Sequence, residues 1–257
     1  IHEISKVYNL NVYNLVSEPF KDFDISFIEE LVIKKRITHV AIVHNETSTG
    51  RLNELEAFSK LSDKYSLKLI VDAMSSFGAI EIDVNDLNID YLCSSSNKNI
   101  QGMAGISFVI ANKNSLESIK DNDRKNFYLD LYAQYEFFNK NRQLRFTPPV
   151  QSFYALKQAI EELKKEGIKN RYKRYSKNWN YIIKNLPSLG FIQEFQNEKS
   201  SKIITVFRLP KNIKFKYLHD ELLKSNITIY PSKYDTNTFR IANIGNISIK
   251  DLECFIN

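Results

Sequence analysis

Glycine and cysteine are the scarce residues of this chain. Seven of its 257 residues are glycine, and none of the seven falls in the first 49 positions, so no glycine-rich phosphate cradle precedes Gly50. Two cysteines, Cys93 and Cys254, offer neither a disulfide framework nor paired metal ligands. They fit a reducing, cytoplasmic setting, and Cys93, at the end of an apolar run, reads as a buried, inert thiol. The four histidines (His2, His39, His44 and His219) do not fall at ligand spacing, so no metal site is expected. There is no run of about 18 apolar residues and no signal peptide, which argues against a membrane partner. The formal charge of +6 is spread over the chain with no long basic block. No stripe of basic and aromatic residues marks it as a nucleic-acid binder, and a solvated lysine-rich surface accounts for the charge.

What is present is an alternation of strand and helix signals. Leu10 to Leu15 alternates apolar and polar residues, as a short strand does. Asp24 to Lys35 reads as a helix opened by an acidic cap. His39 to Val43 is a short apolar run suited to a buried parallel strand. Asn53 is placed to cap a helix carrying Leu55, Phe58 and Leu61. Strands are expected again at Leu67 to Val71, Tyr91 to Ser94 and Ile106 to Ala111. Strands alternating with helices define an α/β fold with a large parallel-rich sheet and helices on both faces. After Thr147-Pro148-Pro149, one long helix is expected from Gln151 to about Asn185. A polar run, Gln196 to Lys202, then leads into a small C-terminal α/β unit. That unit has strands near Ile203 to Leu209, Ile227 to Tyr230 and Thr238 to Ile241, and helices near Phe215 to Leu223 and from Ser248. The division expected is a large domain, 1–150, followed by an interdomain helix and small domain, 151–257.

In sheets of this kind a ligand sits at the carboxyl ends of the strands. Three polar stretches occupy that position: His44 to Gly50, Asp72 to Gly78, and Ser94 to Lys98. The third holds Lys98 among Ser94, Ser95, Ser96 and Asn97, with Gly102 and Gly105 allowing the backbone to turn back tightly. Lys98 follows Asp72 by 26 positions. An isolated lysine is ordinarily a solvated surface residue, and Asp72 alone serves equally well as a helix cap. Together they match the needs of pyridoxal 5'-phosphate (PLP). The lysine amine forms an imine with the cofactor aldehyde, and the carboxylate keeps the pyridine nitrogen protonated, so that the ring takes up electrons. Thr47 and Thr49 are either turn formers or donors to the cofactor. Arg240 is either a surface ion-pair member or a planar clamp for an anionic substrate end.

The stretches His44-Asn-Glu-Thr-Ser-Thr-Gly50, Val71-Asp-Ala-Met-Ser-Ser-Phe-Gly78, Ser94-Ser-Ser-Asn-Lys98, Gln101-Gly-Met-Ala-Gly105, Phe146-Thr-Pro-Pro-Val-Gln151 and Phe239-Arg-Ile-Ala-Asn-Ile-Gly245 together resemble the class V aminotransferases. The resemblance spans nearly the whole chain and implies a fold-type I PLP-dependent transferase. It implies that Lys98 is the imine lysine and proton shuttle, and that Asp72 holds the pyridine nitrogen. Thr47 or Thr49 would contact the cofactor, with Ser95 and Asn97 near its phosphate. Thr147 would reach the phosphate in a neighbouring subunit of a homodimer, and Arg240 would bind the anionic end of both substrates. Within the class, the closest likeness is to transfer of an amino group from 2-aminoethylphosphonate to pyruvate, giving phosphonoacetaldehyde and alanine. The family also carries, upstream of the position of Ile1, a Ser-Gly-Thr-like phosphate loop and an aromatic residue that stacks on the ring. The chain therefore reads as lacking an N-terminal segment. Two alternatives stand beside this reading: another class V activity, alanine–glyoxylate or serine–pyruvate, and a truncated remnant without catalysis.

Overall fold

The structure, a computed structural model, describes residues 1–195, 198–233 and 235–256. Gln196 and Asn197, which open the expected polar run, lie outside the described residues. The first half contains α1 (His2–Val7), α2 (Ile25–Lys35), β1 (His39–Val43), β2 (Asn45–Glu46), β3 (Arg51–Leu52), α3 (Leu55–Tyr65), β4 (Lys68–Asp72), β5 (Tyr91–Ser95) and β6 (Ser107–Ala111). Then come α4 (Lys113–Glu117), α5 (Leu131–Asn141), α6 (Val150–Glu166) and α7 (Ile168–Asn185). A 3-10 helix (Leu186–Leu189) leads to β7 (Ile192–Gln193), β8 (Ile204–Arg208), α8 (Phe215–Lys224), β9 (Tyr230–Pro231), β10 (Thr238–Ala242) and α9 (Ile249–Ile256).

The first sheet has the order β1-β4-β5-β6. β1, β4 and β5 run parallel, with Val43 opposite Asp72 and Asp72 opposite Cys93. β6 is antiparallel to β5. The short link from Ser96 to Ile106 contains no helix, and a parallel return requires a crossover of a dozen or more residues. Asp24 caps α2 by accepting from the Phe27 amide at 3.0 Å, and Arg36 closes the helix in the left-handed conformation. Ile28 and Val32 of α2, with Leu55, Phe58 and Leu61 of α3, cover Leu69, Val71 and Leu92 of the sheet. At roughly 25 cal/mol per Å2 of apolar surface removed from water, burial of this cluster is the main stabilising contribution to the first half.

A second sheet, β7-β8-β10-β9, forms the C-terminal part, with Phe207, Phe239 and Ile241 in a separate core beneath α8 and α9. α6 and α7 run between the two cores.

Several expectations change. Leu10 to Leu15 is not a strand: an alternating pattern needs a ladder partner, and none lies beside it among the described residues. β1 is an edge strand with Ala41 exposed, not a buried one. Asn53 does not cap α3; its amide donates to the Val43 carbonyl at 2.7 Å, a group left over at the strand end. The expected single helix is two, broken at Gly167, whose φ of +82° a helix cannot continue. The expected strand at Ile227 to Tyr230 contracts to β9, and Cys93 is half-buried.

The short β2–β3 hairpin touches both sheets. The Leu52 amide donates to Lys199, Ser201 donates to Gly50, and Arg51 bridges Ser200. Gly50 has φ +76°, and a Cβ there would overlap the Ile204 carbonyl oxygen of β8. Gly50→Ala is therefore expected to cost roughly 2 kcal/mol or more. Urea unfolding would register this as a lower midpoint; an unchanged midpoint would refute it.

Candidate active site

The carboxyl ends of β1, β4 and β5 are adjacent, and each is followed by one of the three polar stretches. Hydrogen bonds stitch these loops together. The Ser75 carbonyl accepts from the Asn45 amide at 3.2 Å and from the Asn99 amide at 2.9 Å. The Ser75 hydroxyl donates back to the Asn45 carbonyl at 2.9 Å. The backbone amide of His44 donates to the Asp72 carbonyl at 2.9 Å, and its ring Nδ1 lies 3.0 Å from the Ser76 hydroxyl. Asn45, Ser76 and Asn99 are buried.

Asp72, half-buried, ends β4; one carboxylate oxygen accepts from the Met74 amide at 3.0 Å. Burial and the negative charge of Asp72 on the adjacent strand push the Cys93 thiol up. Lys98 lies in the turn directly after β5. It is exposed, and its amine makes no hydrogen bond or ion pair among the described residues. The Gln101 amide donates to the Lys98 carbonyl, and Gly102 donates to Ser96 at 2.8 Å. A Cβ on Gly102 would press on the Ser96 carbonyl at 3.1 Å, so this turn holds a residue without a side chain.

The hydroxyl-rich stretch divides by role. Ser94 donates to the Ala73 carbonyl, and Ser96 donates to Met103 at 2.5 Å, so both hydroxyls serve the loop. Ser95 donates to Asn97 Oδ1 at 2.9 Å, which leaves the Asn97 amide nitrogen uncommitted among the described residues. Thr49 is buried and accepts from the Arg51 amide at 3.3 Å within its own turn, whereas Thr47 is exposed. Arg240 comes to the same place from the second sheet. Its Nε donates to the Pro231 carbonyl at 3.1 Å and its Nη1 to the Thr47 carbonyl at 3.2 Å. Phe239 and Ile241 are buried on either side of it in sequence, as strand alternation requires. Thr147 is exposed ahead of α6, and no hydrogen bond ties it to the Lys98 turn. No cluster of three or more His, Cys, Asp or Glu side chains suited to a metal occurs among the described residues.

Sequence reasoning passed over His44, Ser75, Asn99 and Arg171, which hold the loops in place. Arg171 is buried and donates to the carbonyls of Asn99 at 2.6 Å and Ile100 at 3.3 Å. Asparagine and serine after a strand read as ordinary turn residues, and an arginine 72 positions from its partner leaves no local signal.

A free amine, a half-buried carboxylate with one oxygen uncommitted to the backbone, an amide donor and an arginine at one sheet end fit an aldehyde cofactor with a basic ring nitrogen and a phosphate. The aminotransferase class-V family model matches residues 1–230, and the chain belongs to that family. The chain is 42% identical, over 98% of its own length, to the bifunctional phosphonoacetaldehyde hydrolase/aminoethylphosphonate transaminase of Clostridioides difficile, and spans 40% of that protein. It is 40% identical over its whole length to the 2-aminoethylphosphonate–pyruvate transaminase of Bacillus cereus, and spans 72% of that enzyme. Among solved structures, an alanine–glyoxylate aminotransferase from Nostoc has a TM-score of 0.92 at 23% identity, covering 99% of this chain and 69% of its own. The fold is thereby fold-type I. No described helix is long and apolar enough to cross a membrane.

Burial pushes the His44 imidazole down to about 4 from the ordinary 6.5. The folded state therefore refuses a proton that the unfolded chain accepts near pH 6.5. Stability is full above that pH and is lost as the pH falls toward 4, by up to about 3 kcal/mol in total. His39, also lowered by burial, acts in the same direction. Urea midpoints measured between pH 7.5 and 5 should fall steeply for the parent protein and less steeply for His44→Gln. Equal slopes would show that His44 is not the group responsible.

Proposed function

We propose that the protein transfers the amino group of 2-aminoethylphosphonate to pyruvate with PLP, giving phosphonoacetaldehyde and alanine. The reading is supported above all by identity of about 40%, across the whole chain, to transaminases of that name. Lys98, Asp72 and Arg240 at one sheet end supply the groups the reaction needs.

PLP, when bound, supplies an aldehyde that captures amines covalently and a ring that absorbs electron density when a proton leaves the neighbouring carbon. Lys98 is the residue that would hold the aldehyde. Released by the incoming amine, its Nζ would take the proton from the substrate carbon bearing nitrogen and deliver it to the cofactor's former aldehyde carbon, on the other side of that nitrogen. Asp72 would hold a proton on the ring nitrogen, through a charged hydrogen bond worth about 1.5–3 kcal/mol. Asn97, with Ser95 fixing its orientation, would meet the phosphate. Thr47 would contact the cofactor in preference to Thr49, whose hydroxyl serves its own turn. Arg240, anchored through Nε and Nη1, presents the rest of its guanidinium to a phosphonate in one half-reaction and a carboxylate in the other. A planar fork fits both anions, whereas an ammonium does not.

Two units serve this chemistry: residues 1–150 carry the cofactor groups, and residues 151–257 bring Arg240. The protein works as a homodimer in which Thr147 reaches the partner's phosphate. Support comes from the exposed apolar surface beside it. Phe127, Tyr128 and Leu129 are 75%, 60% and 63% exposed, and the first two pack on Phe146. Sedimentation should show a dimer, and Thr147→Ala should release PLP more readily without dissociating it. A monomer, or unchanged PLP retention, would count against this arrangement.

The catalytic reading is tested with both donor–acceptor pairs. The parent protein should turn over 2-aminoethylphosphonate with pyruvate. Lys98→Ala should lose both turnover and the borohydride-sensitive absorbance band. Arg240→Lys should keep the band and lose roughly tenfold or more in kcat/KM, about 1.4 kcal/mol, for both substrates. Turnover of alanine with glyoxylate but not of 2-aminoethylphosphonate would transfer the protein to another class V activity. No band and no turnover would mark a remnant.

A further inference from the structure

α7 carries a row of polar side chains that neither the cofactor nor the substrate reading uses. Arg171, Arg174, Tyr175 and Asn178 recur at helical spacing, so they share one face. Together they hold the turn after β5 and the loop after β10. Arg171 grips the Asn99 and Ile100 carbonyls directly after Lys98. The Tyr175 hydroxyl accepts from Gln101 Nε2 at 2.6 Å and from the Gly245 amide at 3.1 Å. Arg174 donates to the Gly245 carbonyl at 2.6 Å, and Asn178 donates to Ile247 at 2.8 Å. Gly245 and Ile247 belong to the loop leaving β10, the strand of Arg240.

One carboxylate holds the row in place. Glu166, the last residue of α6, accepts from Arg171 Nε at 2.7 Å and from Arg174 Nε and Nη2 at 2.8 and 3.1 Å. The break at Gly167 lets the end of α6 face the first turn of α7, where an unbroken helix would carry Glu166 past it. Arg171 is buried, so without Glu166 its charge would lack a counter-ion. From Arg171 to Asn178 the helix rises about 10 Å, a fixed length between the Lys98 turn and the Arg240 strand.

We propose that Arg171 and Arg174, fixed by Glu166, are positioning residues: Arg171 sets the Lys98 amine, Arg174 sets the strand of the anion clamp, and α7 fixes the distance between them. The proposal rests on the PLP reading for its kinetic part and on the geometry alone for its structural part.

The two arginines act on different ends of the reaction, so their variants should separate. In purified protein reconstituted with PLP, Arg171→Lys should lower kcat about tenfold, with KM for 2-aminoethylphosphonate and pyruvate within about twofold. It should also move the pH midpoint of the cofactor absorbance, read without substrate. Arg174→Lys should raise both KM values about fivefold or more, with kcat and the spectrum little changed. Hydrogen exchange in the cofactor-free protein should quicken at Gln101 and Gly102 in Arg171→Lys and at Gly245 in Arg174→Lys. If Arg171→Lys fails to fold, Glu166→Gln is read instead and should move the spectral midpoint and quicken both segments. Identical kinetic patterns in the two variants, an unmoved midpoint, or exchange unchanged in both segments would overturn the proposal. Absence of a borohydride-trapped adduct on Lys98 in the parent protein would defeat the PLP reading alone, and the exchange result would still decide the role of the row.

Discussion

Everything at the sheet end turns on the carbonyl oxygen of Ser75. It accepts two amide donors, from Asn45 after β1 and from Asn99 after β5, while its own loop follows β4. Three loops from three parallel strands thus meet at one acceptor in a half-buried residue. A carbonyl partly withdrawn from water needs such partners, and each bond contributes roughly 0.5–1.5 kcal/mol net. Satisfying it here also fixes Asp72 and Lys98 relative to each other, since each lies within three residues of a stitched position. The sheet beneath supplies the other constraint: with Val43, Asp72 and Cys93 in register, the three loops start side by side.

The second constraint is the seam between the two sheets. The β2–β3 hairpin serves both sides of it. Its turn presents the Thr47 carbonyl to Arg240, while Gly50 approaches β8 more closely than a side chain would permit. Arg51, buried in the seam, pairs with Asp22. On the far side α7 holds the Lys98 turn and the Gly245 loop with one face. The candidate site is therefore framed by contacts between backbone carbonyls and buried or half-buried arginines. Arginine suits this role because its fork serves several acceptors at once and stays charged when desolvated. Glu166 shows the electrostatic side of the same arrangement. Burial pushes its carboxyl up, but the hydrogen bonds from Arg174 and Arg171 outweigh burial and hold it below the usual range.

Charge at the site is local and owes little to the net charge of the chain. The excess of lysine lies on the solvated surface, in pairs such as Lys64–Glu29 and Lys216–Asp220 that contribute little to stability. What distinguishes Lys98 is not surrounding charge but the absence of a partner for its amine among the described residues, in a turn where Ser94, Ser95 and Ser96 are each hydrogen-bonded. That leaves the amine free to react.

The sequence by itself determined the class of fold and the candidate residues at the sheet end. Strand-length runs expected at 39–43, 67–71 and 91–94, each followed by a polar turn, point to a parallel-rich sheet through side-chain period alone. A lysine and a carboxylate at two such ends follow from local order along the chain. Motifs of this kind are legible because the chemistry demands particular residue types within a few positions of a strand end. Tertiary structure alone decided the rest. That Leu10 to Leu15 finds no ladder, that β1 lies at an edge, and that Asn53 serves Val43 in place of α3 all depend on which neighbour arrives. That Ser94 and Ser96 spend their hydroxyls on backbone carbonyls and Ser95 on Asn97, leaving only the Asn97 amide nitrogen uncommitted among the described residues, depends on the direction each side chain faces. The grip of Arg171 on Asn99, across 72 positions, is settled only when both cores have formed, because a hydrogen bond between distant residues has no period in the sequence to announce it.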